Sequence, residues 1–343
     1  GGGMAISNGL SDFVFMEQDK AKVFVNSPNA INGNSQDKND FSSAKFQSES
    51  TGLVDFIGTE SEIILGIREL ISVLPANNED DMSYIECTDD LNRLTPELEG
   101  RISDPALALN IISDSGYVLE VKKNFAREMF TGFIRLNGNT VGVVANRRAL
   151  YDENGEIEDE FENVLSHQGS DKAAGFVEFC DAFNIPVLTL VDVKGYRATK
   201  CSEKRMPKAG AKLTYAYANA TVPKVSLIVG DAYGSASLSM NSKSIGADIV
   251  FAWENAKMGM MNASEAVKII YSKEIDSSED IKATLDEKTR EYENLQNSAV
   301  YAARRGYVDD IITVAETRKR LLAAFEMLFT KKEDRPYKKH GSI

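Results

Sequence analysis

The chain has 343 residues, with 39 basic and 52 acidic side chains and a net charge of −13. Such an acidic balance argues against nucleic acid as a partner, because phosphates and carboxylates repel each other. No run approaches the ~20 apolar residues of a membrane-spanning helix, so direct membrane insertion is not expected. The length accommodates two domains or one large one. Three separated cysteines, Cys87, Cys180 and Cys201, favour a cytoplasmic location over a disulfide framework.

The first third of the chain predicts a helix between irregular segments. In chain order we expect a small-residue turn at Gly1–Gly3, strands at Asp12–Met16 and Lys22–Val25, a loop with a weak helical turn at Pro28–Phe46, a helix at Glu60–Leu74 ended by Pro75–Asp81, and a Pro- and Asp-rich connection at Met82–Pro105. We place the domain boundary loosely in this last segment.

In the rest of the chain, strands alternate with helices, which predicts an α/β protein with largely parallel pairing. The expected elements are a helix at Asp104–Ile112, a hairpin of Phe133–Leu136 and Val141–Ala145, a helix at Ser170–Phe183 capped by Ser170, a strand at Val187–Val191, a helix at Ala209–Ala220, a strand at Val225–Val229, a helix from about Ser235, a strand at Ile249–Ala252, and helices at Asn262–Tyr271, Asp280–Arg305 and Thr317–Leu328. The repeating unit is two short strands plus a helix. No GxGxxG or Walker motif follows a strand.

The segment Val222–Met240 predicts a buried strand, a turn of small residues and the start of a helix. Unpaired N–H groups at such a helix start attract an oxyanion. The opening turn at Gly1–Gly3 is of the same kind, and two such turns suggest two developing negative charges. For either turn alone, close helix packing remains an alternative role for the small residues.

Side chains with the usual catalytic chemistry are scarce. There are two histidines, His167 and His340, no HExxH or CxxC spacing for a metal, and no GxSxG motif. Backbone N–H groups are therefore the best candidates for catalysis, and they suit a thioester carbonyl that becomes an enolate.

Charge is distributed unevenly along the chain. Asp152–Glu162 contains seven acids and no base, and we expect a solvated loop there. Lys194–Lys212 contains seven bases against Glu203 alone. The basic run predicts either a solvated helix face or a wall that faces an anion, and the two readings stay open.

Several ordered segments resemble biotin-dependent acyl-CoA carboxyltransferases. They are GFIRLNGNTVGVVA at Gly132–Ala145, DKAAGFVEFCDAFNIP at Asp171–Pro186 followed by VDVKGY, GAKLTYAYANATVPK at Gly210–Lys224, ARRGYVDDII at Ala303–Ile312, ETR at Glu316–Arg318, RPYKKHG at Arg335–Gly341 and the opening GGGMAISNGLSDFVFM. The matches extend across nearly the whole chain.

The resemblance implies a crotonase (ClpP/crotonase-like) α/β fold of repeated ββα units in two related halves. Residues 1–85 would be the remainder of an incomplete N-terminal half on the coenzyme A side, and residues 86–343 the C-terminal half on the biotin side. Because the chain begins inside the first motif, we expect a truncated half or a split subunit. The implied reaction moves a carboxyl group between carboxybiotin and the α-carbon of an acyl-CoA, with an enolate held by two backbone oxyanion holes.

The resemblance also assigns roles to individual residues. Gly2 and Gly3 match the first hole, with Met4 beside them at the substrate, and Ser235 and Ala236 match the second. The residues expected to bind biotin are Gly195, Tyr196, Gly234, Ser235 and Ala236. The basic run, rather than the resemblance, suggests that Arg197 and Lys200 contact an anionic substrate, through either coenzyme A phosphates or a carboxylate. No metal is implied in this chain.

The implied partners follow from the same family. Biotin would arrive on a separate carrier domain or protein, with acyl-CoA as the substrate. The partners would be a biotin carboxyl carrier protein and biotin carboxylase or decarboxylase subunits. A site shared between copies implies a homo-oligomer, at least a dimer and up to a hexamer.

Departures from the family pattern lie on the biotin side. Gly-Gly-Ala-Tyr becomes Gly234-Ser235-Ala236-Ser237, and the family's Val-Asp-Val-Pro-Gly-Phe carries Lys194 in place of proline. Three alternatives therefore stay open: the alpha subunit of a sodium-pumping acyl-CoA decarboxylase, a crotonase-like hydratase, hydrolase or isomerase using Asp12, and a divergent non-catalytic scaffold subunit.

Overall fold

A computed structural model describes residues 1–34, 38–80, 83–335 and 341. The strands are β1 (Phe15–Glu17), β2 (Phe56–Gly58), β3 (Val118–Glu120), β4 (Met129–Leu136), β5 (Asn139–Asn146), β6 (Ala149–Tyr151), β7 (Ile157–Glu160), β8 (Val187–Val193), β9 (Lys224–Tyr233), β10 (Ile249–Trp253), β11 (Lys257–Gly259) and β12 (Asp310–Ile312).

The α-helices are α1 (Gly3–Asn8), α2 (Ala44–Phe46), α3 (Glu60–Val73), α4 (Pro105–Ile112), α5 (His167–Ala182), α6 (Lys200–Asn219), α7 (Gly234–Leu238), α8 (Ala263–Ile270), α9 (Ser272–Asp276), α10 (Ile281–Tyr292), α11 (Ala299–Arg304) and α12 (Thr317–Leu328). Short 3₁₀ turns lie at Pro28–Ala30, Pro96–Gly100, Asp114–Gly116, Lys243–Ile245 and Val314–Glu316, and π-helical turns at Gln47–Thr51 and Glu293–Asn297.

An eight-stranded sheet forms the centre of the fold. Its order is β12-β10-β9-β8-β5-β4-β3, with β11 paired to the end of β9. The strands from β12 to β5 pair in parallel, and β4 and β3 continue the sheet antiparallel. The predicted hairpin between β4 and β5 is confirmed: Asn137 and Gly138 both have positive φ, 50° and 76°, as a tight two-residue hairpin turn requires. Because β8, β9 and β10 run in parallel, their carboxyl ends meet at one edge of the sheet.

Helices cover both faces of this sheet. Every residue of β8 is buried, as expected for a strand covered on two sides. On one face, α5 and α6 pack through residues such as Val177 and Leu213. On the other face, α4 and α12 pack through residues such as Leu109 and Leu321. The result is a three-layer α/β/α arrangement.

The first 80 residues lie outside this sheet. There, β1 and β2 pair in parallel with each other, and a small core forms around Met16, Ala44 and Val54. The inner face of α3 joins the large core through Leu70 and Val73. The Thr59 hydroxyl and the Glu62 carboxylate form a reciprocal capping box that starts α3, so the predicted helix is confirmed.

Some predicted helix boundaries are wrong. The helix predicted from Ser170 begins at His167, and Ser166 is its cap, because the Ser166 hydroxyl accepts the Gly169 N–H at 2.9 Å. The helix predicted from Ala209 begins at Lys200 and contains Pro207.

Three other expectations are also corrected. The long helix predicted at Asp280–Arg305 is divided into α10, a π-helical turn and α11, with Ser298 capping the last piece. Lys22–Val25 forms no strand among the described residues and contributes a single bridge from Lys22 to Ser43. The acidic run is not only a loop, since β6 and β7 form a hairpin whose Glu158 and Asp159 bind Arg127.

The connection between the two parts is irregular, as predicted. Its first residue, Met82, lies outside the described residues, as does Asp81 at the end of the predicted helix stop. From residue 83 onward the connection is tied to the later part of the chain. The Ile85 N–H donates to the Gly138 carbonyl at 2.9 Å, and the Thr95 N–H to the Ala315 carbonyl at 2.8 Å. Two other predicted segments lie partly outside the described residues. They are residues 35–37 of the predicted loop and residues 336–340 of the RPYKKHG segment, which include His340.

Candidate functional site

The small-residue turn after β9 lies at the carboxyl edge of the sheet. Gly234 follows Tyr233 with a φ of +62°, in the left-handed region that favours glycine. A Cβ at Gly234 would also lie 3.2 Å from the Met260 carbonyl oxygen. Both the backbone conformation and the space therefore require glycine at this position.

Gly234 is the first residue of α7, and Ser235 and Ala236 follow it. Within the part of the chain that the structure describes, no side chain caps this helix, so their N–H groups keep no partner. Ser235 is exposed and Ala236 is fully buried. The turn therefore has two backbone donors without an intramolecular partner among the described residues, one on an exposed residue and one on a buried residue.

Hydroxyl groups brace the turn from within. The Ser237 hydroxyl donates to the Gly234 carbonyl at 2.9 Å, and the Ser239 hydroxyl to the Ser235 carbonyl at 3.1 Å. Thr214 of α6 donates to the Ser239 hydroxyl at 2.9 Å. These bonds fix the carbonyl side of the turn and do not use the N–H groups of Ser235 and Ala236.

A cavity of about 360 Å³ lies beside this turn. It is mainly apolar, with tyrosines and two cationic side chains at its wall, and its lining includes Gly234, Ser237, Leu238, Met260, Tyr301 and Arg305. A bound group in this cavity would lie next to the residues of the turn.

The loop after β8 reaches the same edge of the sheet. The Gly195 carbonyl accepts the Leu165 N–H at 2.8 Å, and the Arg197 N–H donates to the Leu165 carbonyl at 3.0 Å. Tyr196 is 37% exposed, and Lys200, at the start of α6, is exposed. Thus Gly195, Tyr196 and the second turn share one edge, as the parallel strands dictate.

Arg197 turns partly away from solvent. Its guanidinium lies 3.8 Å from the Glu128 carboxylate, which also accepts the Ser166 hydroxyl at 2.5 Å. The neighbouring Lys194, which replaces the family's proline, lies 3.6 Å from the Asp231 carboxylate.

The glycine turn at the start of the chain belongs to a different part of the fold. Gly2 has a φ of +63° and its N–H donates to the Phe24 carbonyl at 3.0 Å, so this donor is already paired. The N–H groups of Gly3 and Met4, at the start of α1, have no acceptor among the described residues. Gly2 therefore shapes the turn, and the donors it offers come from the next two residues.

Sequence reasoning missed Asp192, which binds the end of β9 that leads into the second turn, at Gly234–Ala236. Between Val191 and Val193 the register with β9 shifts, so that three residues of β9 stand opposite Asp192. The buried Asp192 carboxylate fills the gap and accepts the Asp231 N–H at 2.9 Å. It also accepts the Asn163 amide at 2.8 Å. The available signal was a carboxylate flanked by two valines, in the VDVKGY segment.

A separate group of buried charges lies where the first 80 residues meet the sheet. The ammonium group of Lys172 donates to the Phe125 and Met129 carbonyls at 2.8 and 2.7 Å, and burial lowers its pKa to about 7. Burial raises the pKa of Asp55, although Lys122 lies 3.1 Å away. Lys172, Lys122 and Asp55 line a cavity of about 270 Å³. The hydrogen bonds of this group are internal, so we assign it to the framework.

Two absences hold within residues 1–34, 38–80, 83–335 and 341. No cluster of three or more histidine, cysteine or acidic side chains is placed to hold a metal ion there. No helix within those ranges is both long and apolar enough to cross a membrane. His167 is buried, and neither of its ring nitrogens has a hydrogen-bond partner among the described residues.

Comparison with known proteins identifies the family. The family model described as "Carboxyl transferase domain" matches residues 1–343. The alpha subunit of the methylmalonyl-CoA decarboxylase of Propionigenium modestum is 38% identical over the whole of this chain and 66% of its own length. The carboxyltransferase subunit of the propionyl-CoA carboxylase of Haloferax mediterranei is 37% identical over the whole chain and 67% of its own length.

A solved structure agrees with these relatives. The crystal structure of transcarboxylase 12S with methylmalonyl-coenzyme A and methylmalonic acid bound matches 99% of this chain and 65% of its own, with a TM-score of 0.89 and 37% identity. That protein is described as a hexamer assembly. This match confirms the predicted crotonase fold. The chain spans about two thirds of the length of these relatives, and it belongs to the carboxyl transferase domain family.

Proposed function

We propose that this chain transfers a carboxyl group between carrier-borne biotin and the α-carbon of an acyl-CoA. The observation that carries the proposal is the pair of unpaired N–H groups at Ser235 and Ala236, beside a cavity, in a chain of this family. Backbone donors of this kind bind a carbonyl oxygen that gains negative charge during reaction. Such a site needs no histidine, thiolate or metal from the chain.

The second turn fits the ureido carbonyl of biotin. That carbonyl is an acceptor and carries no hydrogen, so it matches two N–H donors with no acceptor between them. Carboxybiotin, when bound, supplies the carboxyl group that is transferred. The chain's own residues have holding roles: Ser235 and Ala236 donate to the oxygen, Gly234 sets the turn, and Gly195 and Tyr196 border the same edge.

We assign the acyl-CoA to the first turn. Gly3 and Met4 supply its free N–H groups for the thioester oxygen, and the left-handed Gly2 directs the backbone. Arg197 and Lys200 are proposed to contact the anionic part of the substrate. In this assignment residues 1–85 form the coenzyme A side and residues 86–343 the biotin side.

The surrounding assembly is proposed on the same basis. We infer a homo-oligomer whose copies share sites, together with a biotin carboxyl carrier protein and a biotin carboxylase or decarboxylase subunit. The cytoplasmic location expected from the cysteines stays a prediction.

The test removes one N–H donor without enlarging a buried side chain. Ser235→Pro deletes the N–H in the first turn of α7, where proline is tolerated. Ser235→Ala is the matched control, because it keeps the N–H and removes only an exposed hydroxyl. Carboxyl exchange from methylmalonyl-CoA to free biotin is measured with the complete subunit. We expect Ser235→Pro to lower kcat by about 10²–10³-fold and Ser235→Ala to stay near wild type.

Two outcomes would reject parts of this proposal. Equal rates for a folded Ser235→Pro and Ser235→Ala would exclude the second turn as an oxyanion site. Absence of exchange in the wild-type protein, in the intact complex and with a panel of acyl-CoAs, would favour the scaffold alternative.

A further inference from the structure

The exposed side of α6 carries a cluster of cations that the rest of the fold does not neutralise. Lys204, Arg205 and Lys208 are exposed, and no carboxylate of the described residues lies within ion-pair distance of them. We call these three residues the basic face. The whole chain has a net charge of −13, so this face is a local positive patch on an acidic protein.

The basic face is unfavourable for the helix that carries it. Lys200, Lys204, Lys208 and Lys212 recur at four-residue intervals, and like charges at that spacing destabilise a helix. They also begin at its N-terminus, where the helix dipole disfavours cations. Glu203 is the single acid among them. Apart from Glu203, no carboxylate of the described residues lies close enough to these lysines to offset the repulsion through an ion pair, which points to a partner outside the chain.

The location of the basic face ties it to the proposed site. The helix α6 follows β8, whose carboxyl end lies at the same edge of the sheet as the second turn. Thr214 of α6 binds Ser239 just beyond that turn at 2.9 Å. At about 1.5 Å per residue, Lys208 and Lys204 lie roughly 9 and 15 Å along the helix from this contact. A protein docked on the basic face could therefore present a tethered group to the turn.

We propose that the basic face docks an acidic surface of the protein that carries biotin. This inference rests on the proposed function, in which the biotin is delivered on a carrier. Opposite charge on the carrier would accelerate its encounter with this edge of the sheet and orient it there. The contact would be sensitive to salt, because exposed charges are screened within about 10 Å at 0.1 M ionic strength.

The experiment compares carrier-borne biotin with free biotin. The triple variant K204E/R205E/K208E is made in the complete subunit, and carboxyl exchange from methylmalonyl-CoA is measured with added biotinylated carrier protein and, separately, with free biotin. The control K20E/K45E/K319E makes the same change in charge at three other exposed lysines. We expect the variant to raise the KM for the carrier about tenfold at low salt, and less as salt increases, with no change in the rate with free biotin.

Other outcomes overturn the inference and are distinguishable from failure of the proposed function. An unchanged carrier KM in the folded variant, or a rise equal to that of the control, excludes a docking role. An increase in the KM for methylmalonyl-CoA alone would place the coenzyme A phosphates on this face and also exclude it. A parallel loss with carrier and free biotin would mean that the residues act on the site itself. By contrast, the proposed function fails only if the wild-type protein lacks exchange with both forms of biotin.

Discussion

Gly230→Ala should displace the second turn, because it acts on the Asp192 carboxylate that holds β9 just before that turn. A Cβ on Gly230 would lie 2.5 Å from Asp192 Oδ1 and 2.7 Å from its Cγ. The backbone fixes the position of an alanine Cβ, so the overlap can be relieved only if the Asp192 carboxylate or the backbone of β9 moves. The same Oδ1 accepts the Asp231 N–H at 2.9 Å, only three residues before Gly234.

The size of the effect follows from these contacts. Overpacking a filled site costs typically 1–3 kcal/mol. A hydrogen bond to a charged acceptor contributes about 1.5–3 kcal/mol, and the Asp231 bond is lost when the carboxylate moves. We therefore expect Gly230→Ala to lower the free energy of unfolding by about 3 kcal/mol. Asp192→Asn keeps one acceptor oxygen but loses the charge opposite Arg148, whose guanidinium lies 2.8 Å away. It should therefore lower the free energy of unfolding by less than Gly230→Ala does.

Chemical denaturation and the exchange assay test this reasoning together. The matched control is Gly175→Ala on α5, where an added Cβ meets nothing within 4 Å. Since glycine inside a helix is unfavourable, that control should stabilise the protein by about 0.5–1 kcal/mol. In Gly230→Ala, kcat should fall in conditions where the protein stays folded. A Gly230→Ala protein with wild-type stability and exchange rate would refute the role assigned to Asp192.

Three further predictions concern the framework, and denaturation measures each. Because burial lowers the pKa of Lys172 to about 7, this side chain binds more protons in the unfolded chain than in the folded one between pH 7 and 9.5. The free energy of unfolding should therefore rise by up to about 1.4 kcal/mol per pH unit in that range. Lys172→Met should abolish this rise. Arg318→Met should cost about 3–5 kcal/mol, since it leaves the buried Asp114 without its partner at 2.7 Å; a loss below 1 kcal/mol would contradict this. Ser166→Ala should lower the free energy of unfolding by about 1–2 kcal/mol, because it removes the N-cap of α5, and Ser170→Ala should lower it less. A larger loss for Ser170→Ala than for Ser166→Ala would instead support Ser170 as the cap, as the sequence predicts.

Much of the fold could be predicted because it depends on neighbours in sequence. The spacing of apolar residues and the local composition were enough to predict α3, β8 and α12. The Asn137–Gly138 pair was enough to predict the hairpin. The start of α6 was missed because Pro207 argues locally against a helix. In the structure, Thr199 caps the helix and Pro207 is accommodated inside it, with the buried Met206 one residue before. Packing against the sheet overrides the local preference.

The parts of the site that escaped prediction depend on contacts between distant segments. Asp192 lies 39 residues from Asp231, and their bond forms only when β8 and β9 are paired. The pairing of the Gly2 N–H with Phe24 likewise depends on the path of the chain after α1. A sequence pattern can locate a turn of small residues, but it does not reveal which of its N–H groups remain free.

The departures from the family pattern have one physical property in common. Lys194, Ser235 and Ser237 all lie at or near the carboxyl edge of the sheet, yet the donors assigned to catalysis there are backbone N–H groups. Replacing a glycine by Ser235 leaves its N–H in place, and the Ser237 hydroxyl binds the Gly234 carbonyl without covering those donors. Side chains at this edge can therefore change while the proposed chemistry is retained. Such changes alter the charge that this edge presents to a partner. We therefore expect this protein to differ from its relatives in the partner that docks at this edge, rather than in the carboxyl transfer proposed there.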